Sequence, residues 1–159
     1  MKKRYLLIIF LIISLLFGIY TSFIQKQQKQ QTQTADQTLL QCLSEAGTCF
    51  GVDYTKMDEG NKIYNYMKAS ANLHTAIFIL PYTSYADDKN NNQELVNALS
   101  GLYQIMTVQS TPKSTHRWIA VTEKEQAIFK CLHYISVNPN DSNSCKALYK
   151  IANDIGIGE

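Results

Sequence analysis

The residues of this 159-residue chain with the clearest capacity for chemistry are four cysteines, Cys42, Cys49, Cys131 and Cys145. Cysteines can bind a metal, carry redox catalysis or join as structural disulfides, and spacing separates these roles. Zinc sites gather their ligands at short spacing, as in C-x-x-C or paired histidines. No C-x-x-C occurs, and His74, His116 and His133 are not spaced as a ligand pair. Redox pairs sit close together in electropositive surroundings, and no such setting is visible. The spacing therefore predicts structural stapling. An even number of cysteines in an oxidising compartment implies two disulfides, for which four cysteines allow three pairings.

Other candidate residues have simpler readings. His74 falls on an apolar helical face, where histidine is commonly a satisfied core neighbour. Asp87 and Asp88 lack the alternating oxygen ligands, central glycine and closing glutamate of a calcium loop. Asp58 with Glu59, and Glu123 with Glu125, fall in first helical turns, where they complement the helix dipole. No nucleophile elbow, phosphate loop, dinucleotide fingerprint or zinc-protease motif occurs. No enzymatic activity, cofactor, metal or small-molecule ligand is expected. Eight tyrosines lie beyond residue 38, and tyrosine suits protein interfaces. Tyr82 and Tyr85, in a loop after Pro81, are candidate partner contacts. His116 and Arg117, beside Trp118, are a second candidate, with Trp118 expected to anchor that segment in the core.

The compartment follows from the N-terminus. Lys2, Lys3 and Arg4 precede an uncharged apolar run over residues 5–24, about the length a helix needs to cross the hydrocarbon core. A cleaved signal peptide has a shorter apolar region and a small-x-small site. The run is thus expected to be an uncleaved signal-anchor in the lipid bilayer, with cleavage to a soluble periplasmic protein as the alternative. The basic flank places the N-terminus in the cytoplasm, and hence the rest in the periplasm of a bacterial inner membrane. The same topology describes a eukaryotic type II membrane protein, in which Asn140-Asp141-Ser142 is a glycosylation sequon.

The sequence divides into residues 1–24 as anchor, 25–38 as a tether of Gln, Lys and Thr, and 39–159 as one domain. The tether lacks large apolar residues and is expected to be flexible, with some helical continuation of the span as the alternative, since Gln and Lys are fair helix formers. The whole chain carries a formal charge of +2. Removing Lys2, Lys3, Arg4, Lys26 and Lys29 from its 15 basic residues leaves 10 against 13 acidic ones, a net charge near −3. A mildly acidic domain without a basic stripe is a poor nucleic-acid binder.

Periodicity predicts an all-α domain of four or five helices. A short first helix over 36–46 ends at Gly47. A second runs from Asp58 to Leu80, with Ile63, Tyr66, Met67, Ser70, Leu73, His74 and Ile77 on its apolar face, and stops at Pro81. Asn91 and Glu94 form a capping box for a third. Gly101 within it permits a close helix contact. Residues 117–121, RWIAV, look short and extended. Thr122 and Glu125 form a second capping box, for a helix bearing Ile128, Cys131, Leu132 and Ile135. Asp141 caps a last helix that ends at Gly156.

These elements give the cysteines a geometry. Cys131 and Cys145 fall on the inner faces of a predicted helical hairpin, within reach of each other if the helices pack tightly. Cys42 and Cys49 can then pair only if Gly47 breaks their helix. The alternative ties each to the C-terminal hairpin. Together these readings predict a stapled, membrane-held protein that binds a periplasmic protein partner, such as an inhibitor or immunity protein against an envelope-acting toxin. The alternative is a structural subunit of an envelope or secretion complex.

Overall fold

The computed structural model describes residues 2–87, 91–107 and 114–157, with side chains at 14–86, 93–107 and 118–156. The described residues form six α-helices and three short 3-10 turns, with no strand among them, so the fold is all-α.

Helix α1, Lys2–Phe50, has 49 residues and is about 74 Å long at 1.5 Å per residue. Its stretch over residues 25–38 is helical, where a flexible tether was expected. Starting a helix is the costly step and extending it is cheap, so Gln- and Lys-rich chain between two helical segments propagates the helix. Its threonines bond backward along it. Thr34 Oγ1 donates to Gln30 O at 3.0 Å and Thr38 Oγ1 to Thr34 O at 2.8 Å. From Ala35 onward an apolar stripe of Ala35, Leu39, Leu43, Ala46 and Phe50 is buried.

Gly47 does not end this helix. A Cβ there would lie 3.4 Å from Leu132 Cβ, so the glycine marks where α1 crosses α5, Glu125–Val137. Four residues on, a Cβ at Gly51 would meet the Phe129 ring at 3.2 Å. The two helices therefore run antiparallel. Gly51 N–H closes the helix onto Gly47 O at 3.0 Å.

Helix α2, Glu59–Ile79, starts where expected. Asp58 caps it, accepting from Asn61 N–H at 3.0 Å. It passes into a 3-10 turn, Leu80–Tyr82, at Pro81. Its buried face is Tyr66, Ala69, Leu73 and Ala76, about a quarter of a turn from the expected one. Small Ala69 and Ala76 are fully buried, while Ile63, Met67 and His74 point to solvent. Helix α2 is antiparallel to α1. Lys68 pairs with Glu45 at 3.7 Å, and Asp36 holds Ser84 through two 2.8 Å bonds, from its N–H and its hydroxyl.

Helix α3, Asn91–Thr107, packs along α6, Ser142–Ile157. A Cβ on Gly101 would meet Ala152 and Tyr149 at 3.5 Å, which is the expected close contact. The Asn91 side chain of the expected capping box lies outside the described residues. Glu94 instead pairs with Lys146 across this seam at 3.1 Å. Helix α6 runs through Gly156 rather than stopping there.

Residues 117–121 belong to a helix, α4, Ser114–Glu123. The capping box expected from Thr122 and Glu125 does not form. Thr122 Oγ1 bonds back to Ile119 O at 2.9 Å, and Glu125 Oε2 accepts from Tyr54 N–H at 2.9 Å. Glu125 thus caps the distant 3-10 turn Tyr54–Lys56 rather than its own helix.

Candidate partner-binding surface

The four cysteines are free thiols, and all are buried. Cys42 and Cys49 lie on one unbroken helix, seven residues and therefore about 10 Å apart. Disulfides need Cα atoms within about 7 Å. The expected local pair cannot form without breaking α1. Cys131 and Cys145 lie on α5 and α6, which pack against each other, and the Cys145 thiol donates to Pro139 O at 3.8 Å. Burial pushes the Cys145 thiol up to about 12, aided by Asp141, Glu94 and Cys131. Burial also raises the thiols of Cys42, Cys49 and Cys131. Raised, buried thiols are poor nucleophiles. Among the described residues no group of three metal-ligating side chains comes together.

Tyr82 and Tyr85 share one bend of chain after α2. Tyr82 is 63% exposed. Tyr85 is half-buried against the core, and burial followed by the Asp36 charge raises its hydroxyl. The side chains of His116 and Arg117 lie outside the described residues. Their neighbour Trp118 packs on the core as expected. Its ring is 4.3 Å from Tyr66 and meets Tyr54 edge-on at 6.5 Å.

Beside this aromatic cluster is a groove of about 460 Å³, whose walls include Tyr54, Trp118, Ile119, Lys62 and Glu123. A second groove of about 340 Å³ lies between α2 and α3. The His74 ring lies tilted against Tyr103 there at 5.4 Å, with Met67, Ser70 and Met106 nearby. Its described walls are hydroxyl, thioether and aromatic, with no carboxylate to pair with His74. The outward face of α2 joins the two grooves and carries Ile63, Tyr64 and Met67, the last 66% exposed. Such a surface can bury a partner's apolar side chains. The period-3.6 pattern concealed it, because Ile63 and Met67 read as core residues.

Among the described residues no helix is long and apolar enough to cross a membrane. The first part of the expected span, residues 5–13, has side chains outside the described ones. The described remainder bears Leu15, Leu16, Phe17, Ile19, Tyr20 and Phe23, all exposed on α1. Compared with known proteins, the chain matches no family model, no curated protein and no solved structure.

Proposed function

We propose that the chain is a membrane-anchored binding protein without catalytic activity. Residues 5–24 hold it in a bacterial inner membrane, and the helical domain captures a protein partner in the periplasm, as an inhibitor or immunity protein captures an envelope-acting toxin. The observation that carries this reading is the bare apolar end of α1, where Phe17 is 67% exposed with no protein packed on it. A helix that is apolar around its circumference needs a protein or lipid cover. The uncovered face of α2 with its two grooves supports the partner side of the reading.

In that compartment Cys131 and Cys145 are the pair that joins, while Cys42 and Cys49, on separate turns of α1, stay reduced. A thiol-oxidising disulfide catalyst takes up the two electrons and two protons released as the S–S bond forms. One staple closing the α5–α6 hairpin replaces the two expected.

A structural role in an envelope complex is favoured by one observation, the unbroken helix through residues 25–38, which couples span and domain rigidly instead of by a leash. Replacing the span with a cleavable signal separates the readings. A capture protein released this way still neutralises or retains one soluble partner. A complex subunit loses function and its membrane-protein contacts. Protease added to spheroplasts should degrade the domain; a domain protected until the membrane is dissolved would overturn both.

A further inference from the structure

The geometry points to a second membrane contact: the end of the domain formed by Phe78, Pro81 and Tyr82 rests on the lipid headgroup layer. The proposal rests on residues 5–24 being the span. Because α2 is antiparallel to α1, its C-terminal end points back toward the apolar run. The two bonds from Ser84 to Asp36, both 2.8 Å, clip the following chain to α1. Tyr82 then shares a groove of about 560 Å³ with Gln27, Gln31 and Ala35.

Height along α1 identifies the occupant. At 1.5 Å per residue, the α1 side of this groove, from Gln27 to Thr38, spans about 5 to 21 Å beyond Ile24. The polar layer outside the hydrocarbon is about 5–8 Å deep on each side. The groove that Tyr82 lines thus opens at headgroup level at its Gln27 end, where tyrosine rings are favoured. Phe78, about one helical turn farther from the span, is 68% exposed and Tyr82 is 63% exposed, so two large rings at this end of the domain lack a protein cover. Lys26 and Lys29 are exposed on the same stretch. Their long stems let the ammonium groups reach lipid phosphates while the carbons lie along apolar surface. The helix is continuous through residues 25–34, so the height of Tyr82 is fixed rather than averaged over a loose chain.

The chain has one tryptophan, Trp118, packed beside Tyr54 just past the end of α1, which is about 39 Å beyond Ile24. It serves as an internal remote reference. The full chain is reconstituted in vesicles of phosphatidylcholine and phosphatidylglycerol, with and without acyl chains brominated near the carbonyl. Fluorescence is compared for the parent, Phe17→Trp and Tyr82→Trp, with Phe78→Trp as a second probe should Tyr82→Trp disturb the turn. The parent should keep its emission, whereas Phe17→Trp and Tyr82→Trp should each lose emission in brominated vesicles. Quenching of Phe17→Trp alone, with neither Tyr82→Trp nor Phe78→Trp affected, overturns the contact and leaves the span standing. Quenching of none of them overturns the span and the contact together.

Discussion

The two ends of α1 use similar residues for opposite purposes. Near the N-terminus, Leu15, Leu16 and Phe17 stand in the open, and a Cβ on Gly18 would meet nothing within 4 Å. Near the C-terminus, Leu39, Leu43 and Phe50 are fully buried, and a Cβ on Gly47 would touch Leu132. One end has its cover from α2 and α5; the other has none among the described residues. On the proposed reading, the same residue types along one helix meet two different solvents.

The largest test of this contrast is truncation of a leucine at each end. Leu43→Ala should cost about 2–5 kcal/mol, as removal of a buried leucine does. Leu16→Ala should leave the domain's urea midpoint unchanged. Equal losses from both would show that the N-terminal end packs on the domain.

The cysteines sharpen the contrast between one helix and two. In the oxidised protein, Cys131→Ala should lose about 3 kcal/mol more than in the reduced protein, the chain-entropy value for a loop of about 15 residues. Cys42→Ala should cost the same in both redox states. Non-reducing mass analysis should find one S–S bond and two thiols.

The glycines give a smaller effect. Gly47→Leu should destabilise by about 1–3 kcal/mol through overpacking against α5, while Gly18→Leu should leave the domain's unfolding unchanged. Thermal melts followed by circular dichroism read both.

The smallest expected effect lies at the α3–α6 seam. The Ser142 hydroxyl and then the Lys146 ammonium hold the Glu94 carboxyl below its ordinary range. A depressed carboxylate stabilises the fold above its unfolded pKa and loses that contribution as pH falls through its folded pKa. Glu94→Gln should therefore lower the melting temperature at neutral pH, and the gap should close in acid. A gap that widens in acid would contradict the assigned partners.

Much of the helical layout was legible in the sequence because it is local. Asp58 and Pro81 bracket α2, and the stripe Ile128, Cys131, Leu132 and Ile135 is buried on α5 as its spacing implies. What escaped depends on distant residues. Gly47 reads as a helix stop until Leu132 is placed against it. Glu125 reads as its own helix's cap until Tyr54 offers a backbone N–H from 71 residues away. RWIAV is too short to show a period, and its helix packs on the core through Trp118, whose ring lies tilted against Tyr66. The segment 25–38 carries no apolar signal, since its helicity is inherited from both neighbours. The exposed face of α2 was hidden for the converse reason. Isoleucine and methionine at helical spacing mark an apolar face, and only packing tells whether the protein itself covers it.

Hydrogen exchange of the full chain in lipid nanodiscs tests the long helix and its lipid cover together. Amides from residue 14 to 34 should exchange slowly without a gap, the first part shielded by lipid and the rest by helical bonding. Random-coil exchange over 25–34 would restore the flexible tether, and rapid exchange over 14–24 would remove the membrane from the picture.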